Sequence, residues 1–121
     1  MHSRLMMVRF LYLLECHFRD EHQPMFYASA MNMTLFQINN LTRKELGKRV
    51  YECIQDRIHN EALHLLLHSS LKVSEIAYTI GCYDHGHFTR SFKKREGVSP
   101  VQYKRSLAAL GMTSGSCATS R

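Results

Sequence analysis

The side chains with the clearest chemical purpose are amides, guanidines and ammonium groups, gathered in two short runs. In the first, Phe36, Asn39, Asn40 and Arg43 fall within about 100° of one another on a helical projection, while Ile38 and Leu41 point the other way. In the second, Gly86, His87, Arg90, Lys93 and Lys94 cluster opposite Phe88 and Phe92. Each helix would bury an apolar edge and turn a polar face outward. That face suits duplex DNA: Asn pairs bidentately with adenine, Arg with guanine O6 and N7, an exposed Phe packs on a thymine methyl, and Lys suits phosphate. The bland alternatives are a core role for Phe36 and simple solvation for the Asn pair. The angular distance of Phe36 from Ile38 favours the outward role.

Charge follows the same two runs. The 121 residues carry 16 Lys and Arg against 10 Asp and Glu, a formal +6, so a polyanion is the first partner class to consider. Residues 1 to 22 are neutral, 23 to 50 carry +3, 51 to 89 carry −3 and 90 to 105 carry +5. Two basic blocks separated by an acidic stretch resemble two anion-binding ends joined by a spacer more than a uniformly solubilising surface. The blocks also share a context. Arg43-Lys44-Glu45-Leu46-Gly47 and Lys93-Lys94-Arg95-Glu96-Gly97 are offset by 50 residues, each a basic last helical turn closed by a glycine. With Tyr27-Ala28 and Ile76-Ala77 in similar upstream places, one motif is used twice.

The elements that would position these residues are helices. Met7, Leu11, Leu14 and Phe18 define a scaffold helix over about residues 4 to 19. A short helix over Met25 to Met31 follows Pro24, with small Ala28 and Ala30 permitting close packing, and Thr34 caps a helix through Leu46. Residues 49 to 68, with Val50, Ile54, Ile58, Leu65 and Leu66, form a spacer helix ~30 Å long. Ser74 to Ile80 open the second copy, Gly81 marks a tight turn, Asp84 caps a helix through Arg95, and Ser99-Pro100 start a helix through about Leu110. The expected organisation is a scaffold helix in 1–23, a first helix-turn-helix in 24–48, a linker helix in 49–70, a second helix-turn-helix with a closing helix in 71–110, and a loose tail in 111–121. The fold class is all-α, with about seven helices.

Composition narrows the alternatives. Six Gly, two Pro and no Trp argue against collagen and repetitive β architectures, and 45% hydrophobic residues suffice for a core. The four cysteines, 16, 53, 82 and 117, include no CxxC pair, so a reducing cytosol is the simplest compartment. The apolar run from Leu5 to Leu14 is broken by Arg9, and Glu15 stands before Cys16 where signal cleavage wants a small neutral residue, which argues against export. The sequence holds no 18-residue apolar run, so no membrane partner is expected. A metal site on Cys82, His85 and His87 fails on geometry, because two residues apart on a helix point about 200° apart. With neither a phosphate loop nor a nucleophile elbow, no enzyme and no cofactor are expected.

The segment from Glu75 to Arg105, EIAYTIGCYDHGHFTRSFKKREGVSPVQYKR, closely resembles the C-terminal signature of the AraC/XylS family of bacterial transcription regulators. Ile76-Ala77, Gly81, Phe88, Arg90, Phe92-Lys93-Lys94, Gly97, Ser99-Pro100 and Tyr103 stand where that pattern has them, and Phe26 to Lys48 is similar to the family's first helix-turn-helix. The resemblance implies seven helices, with two helix-turn-helix units bridged by a long helix and reading adjacent major grooves on one face of double-stranded DNA. It assigns contacts to Phe36, Asn39, Asn40 and Arg43 in the first unit. In the second it assigns them to His85, Gly86, His87, Thr89 and Arg90, with Lys93 nearby; Lys94 joins the site on its outward position alone. Gly81, Phe88, Phe92, Pro100 and Tyr103 would be structural. Activation is commoner than repression in the family.

Departures from the pattern carry expectations of their own. Asn40 stands where many members have Arg, Thr42 where a bulky apolar residue often packs, Cys82 where Phe is common, and Gly86 offers no side chain to a base. A looser core around Thr42 is expected, and a first unit that binds a different sequence or contributes less specificity. Family members often carry a sensing or dimerisation domain ahead of this module, for which 121 residues leave no room, so the chain is expected to be a stand-alone regulator or a fragment of a longer protein. The sequence supports no small-molecule effector pocket. The rival reading is a helical interaction module that keeps the fold without DNA binding and acts on a partner such as RNA polymerase. It predicts few outward basic groups.

Overall fold

A computed structural model describes residues 2–111. Seven helices run in the order α1 His2–His17, α2 Pro24–Ala30, α3 Leu35–Leu46, α4 Val50–His68, α5 Val73–Thr79, α6 His85–Glu96 and α7 Pro100–Ala109, and no strand occurs among the described residues. The chain forms two compact units, Met1–Ile58 and His59–Arg121, with the boundary inside α4. The apolar spacings in the sequence place each helix within two residues of its position here. The tail expected from residue 111 onward lies, beyond Gly111, outside the described residues.

In the first unit α1 buries Met7, Phe10 and Leu14, Phe18 is buried just after it, and Tyr27, Ala28, Ile38, Leu41, Val50, Ile54 and Ile58 are buried in the same unit. Leu11, expected on that stripe, is instead 44% exposed, and Phe10 takes the core place at 0%. The helix is apolar on two faces, with Leu5, Val8 and Tyr12 also exposed, so spacing alone could not choose between Phe10 and Leu11. Phe10 meets Tyr27 edge-on at 5.8 Å. The Tyr27 hydroxyl donates to the Glu21 carbonyl at 2.8 Å, which satisfies it inside the core. Burial, with Glu21 and Asp20 adding to it, pushes that phenol far above its ordinary value. Arg57 lays its guanidinium 4.2 Å over the Phe18 ring and forks onto Glu15 at 2.7 and 2.8 Å. Ala28 packs fully buried, whereas Ala30 is exposed.

The second unit is built on Phe88 and Phe92 of α6, whose ring centres lie 6.0 Å apart. Ala62, Leu66, Val73, Ile76, Ala77, Ile80 and Leu107 are buried with them. Tyr103 closes edge-on to Phe92 at 5.5 Å, and Pro100 starts α7 in a buried position behind the Ser99 cap. The Lys104 ammonium donates to the Leu71 carbonyl at 2.6 Å and fastens α7 to the segment ahead of α5.

The duplication holds at the level of the backbone. Thr34 and Asp84, 50 residues apart, both cap a recognition-type helix by accepting from the N–H three residues on, each at 3.1 Å. Gly47 and Gly97 end those helices in the left-handed region and donate to the Arg43 and Lys93 carbonyls. In the turns, Asn32 at φ 54° in the first copy takes the place of Gly81 at φ 82° in the second. The Met33 N–H donates to the Ala28 carbonyl and the Cys82 N–H to the Ala77 carbonyl, so these turns match at an offset of 49. The offset grows to 50 at the caps because the second turn holds one more residue, Tyr83.

Candidate nucleic-acid interface

On α3 a reciprocal capping box fixes the first turn, with Gln37 Oε1 accepting from the Thr34 N–H at 2.9 Å. The split expected from the sequence is present: Ile38 is 0% and Leu41 8% exposed, against 75% for Phe36. Asn40 and Arg43 are exposed with it. Asn39 is half-buried, and its side-chain oxygen accepts the Val50 N–H at 3.0 Å. That bond satisfies one of the otherwise orphan donors at the start of α4, a scaffold task that spacing on α3 could not reveal. Thr42 is fully buried and its hydroxyl donates to the Asn39 carbonyl at 3.2 Å, so the polar substitution in the core is hydrogen-bonded.

Lys44 and Ser3 join across α1 and α3 at 3.2 Å. Beside them an open hollow is lined by Ser3, Met6, Met33, Gln37, Asn40, Leu41 and Lys44. A ligand there would keep much of its surface in water, unlike one held in an enclosed pocket.

On α6, His85, Gly86, His87, Arg90, Lys93 and Lys94 are all exposed, and Thr89 is half-buried. The buried aromatic side of the same helix is as expected, with Phe88 at 5% and Phe92 at 1%. Asp84 caps the helix, and the His87 N–H bonded to its carboxylate, helped by the charge of Arg90, holds its pKa below the ordinary carboxylate value. Gly86 acquires a physical reason here. A methyl group added at its Cα would stand 3.3 Å from Arg90 Nη1 and 3.4 Å from Asp84 Oδ1, so the glycine clears the space in which the guanidinium lies.

At the far end of α6, His59 Nε2 and Glu96 Oε2 are 2.6 Å apart, and the same imidazole sits 5.2 Å from the Phe92 ring. This bond ties the recognition-type helix to α4 over a separation of 37 residues. Sequence reasoning had no local signal for it.

Burial raises the Cys53 and Cys82 thiols above the ordinary thiol value, which lowers the reactivity of these two. Among the described residues no three His, Cys, Asp or Glu side chains gather where one metal ion could be held. No helix among them is long and apolar enough to cross a membrane.

Two capped helices, each with a buried apolar side and an exposed polar and cationic side behind a short helix and a tight turn, define a protein of the helix-turn-helix class. A family model described as a helix-turn-helix domain matches residues 27–106. The chain is 31% identical over 87 residues to the HTH-type transcriptional activator RhaS of Escherichia coli, an alignment covering 72% of this chain and 31% of that protein. It therefore spans about a third of the length of the curated relatives it matches. Its fold is similar to the C-terminal domain of AraT, a response regulator from Geobacillus stearothermophilus, with a TM-score of 0.77 and 28% identity over 84% of each chain. It is similar also to the DNA-binding domain of AdpA, a global transcriptional factor solved in complex with a target DNA, with a TM-score of 0.79 and 19% identity over 84% of this chain and 92% of that one. The chain belongs to the AraC/XylS family of bacterial transcription regulators.

Proposed function

We propose that this chain is a sequence-specific, non-enzymatic binder of double-stranded DNA that acts in the cytoplasm to regulate transcription, with activation favoured over repression. α3 and α6 are its readers, each in a major groove, and the two grooves are adjacent. The observation that carries the reading is α6, where Arg90, His85 and His87 stand exposed behind an ordered cap while Lys93 and Lys94 lie one turn further on. Arg90 serves as the base reader and the two lysines as phosphate contacts. His85, His87 and Thr89 line the same approach, and Gly86 lets the backbone come close. In the first unit Phe36, Asn40 and Arg43 form the reading face, and Asn39 contributes through the one amide group left to it. The two-groove part rests on the duplication of cap, turn and basic last turn.

Support for DNA as the partner comes from AdpA, whose domain of similar fold was solved with its target, and support for activation from RhaS, an activator. Activation would bring RNA polymerase in as a second partner. The reading invokes no small-molecule effector, cofactor or membrane. The rival module without DNA binding calls for few outward cations, which the exposed Arg43, Arg90, Lys93 and Lys94 oppose.

The test is Arg90→Ala, assayed by selection of binding sites from random duplexes. Specific affinity should fall by roughly 1 to 3 kcal/mol and preference should relax at one position of the site. An unaltered preference would remove Arg90 from base reading.

A further inference from the structure

We propose that Tyr78 and Tyr83 form a neutral phosphate-contact site that flanks the second reader and fixes its register on the duplex backbone; this rests on α6 being a DNA reader. The two rings stand 71% and 72% exposed, in contact with each other at 5.3 Å between centres. Such a pair leaves a large aromatic area in water, and the tilted contact between the rings brings two phenol hydroxyls to one place on the surface before any partner arrives. The first copy has neither group. Ser29 occupies the place of Tyr78, and Tyr83 is the residue by which the second turn exceeds the first.

The position suggests what the pair touches. Tyr83 immediately precedes Asp84, the cap of α6, and Tyr78 lies in the last turn of α5. In helix-turn-helix docking the first turn of the second helix meets base edges while the first helix crosses the backbone, so the chain entering α6 passes the wall of the groove, where the phosphates are. A tyrosine O–H donates to a phosphate oxygen without carrying charge. Asp84, next to Tyr83 in the chain, accepts the His87 N–H and lies in the field of the Arg90 charge, so its repulsion of a phosphate is offset locally.

A neutral donor leaves a signature that a cation does not. It strengthens binding to any sequence, yet neutralises no phosphate and releases no counterion. The experiment measures the full chain on a duplex recovered from its own site selection and on an unrelated duplex, across a salt series. Tyr83→Phe, and more so Tyr78→Phe/Tyr83→Phe, should weaken both by about threefold to tenfold with an unchanged salt slope and unchanged thermal stability. Lys93→Ala, by contrast, should lower the slope by about one.

Wild-type affinity retained by the double Phe variant overturns the proposal and leaves the DNA-reading role of α6 standing. Retained affinity together with lost transcription in the presence of RNA polymerase overturns it in favour of a protein-facing surface. Absence of sequence preference in the wild type overturns the parent reading itself, and the Phe variants then serve to show whether non-specific backbone binding still depends on the phenols.

Discussion

At the scale of single residues, the face proposed to read DNA and the bonds that hold the fold are in two places intertwined. Asn39 looks from its spacing like a base reader beside Asn40, yet its oxygen accepts the Val50 N–H. Asn39→Ala should therefore destabilise the first unit by about 1 kcal/mol through a lost cap, measured by thermal or urea unfolding, whereas Asn40→Ala, on an exposed position, should leave stability alone. Equal stability in the two variants would show that the cap contributes nothing. Gly86 presents the converse case. Its backbone is helical, so Gly86→Ala should gain about 0.5 kcal/mol of stability from reduced unfolded-state entropy. The new methyl group must also shift the Arg90 guanidinium by a few tenths of an ångström. A variant that is more stable but less selective is expected; stability gained with selectivity untouched would detach Gly86 from the placement of Arg90.

At the scale of elements, the sequence was most informative where local chemistry decides. The caps Thr34, Asp84 and Ser99, the left-handed glycines and the inward Phe88 and Phe92 all follow from short-range pattern, because a helix end must satisfy its own backbone groups. Phe88→Ala should cost about 3 to 5 kcal/mol in the unfolding of the second unit. Retained stability would mean that the buried and exposed sides of α6 were exchanged. Less legible were features set by contacts distant in sequence or by competing faces. Phe10 and Leu11 could not be separated on a helix that is apolar twice over, and the bond between His59 and Glu96 joins residues too far apart for any periodicity to register. The turn of the first copy was obscure for a different reason. Asn32 adopts the left-handed conformation that glycine takes in the second, and asparagine is a weaker signal of it.

At the scale of the whole molecule, the basic charge is gathered in two blocks of +3 and +5 with a stretch of −3 between them, and each block includes residues of a helix with an outward polar face. A chain that only needed solubility would have no reason to repeat the cap, the turn and the basic last turn at nearly the same interval. The duplication makes sense if both copies engage one ligand with a repeating surface, and duplex DNA is the polyanion whose grooves recur about every 34 to 36 Å. Selection from random duplexes by the intact chain, followed by binding at several salt concentrations, tests this most directly. The account predicts two conserved half-sites with centres about 10 to 10.5 base pairs apart, and an affinity that falls linearly with log salt at a slope near −0.9 per neutralised phosphate. Recovery of a single half-site, or of no preferred sequence at all, would contradict it.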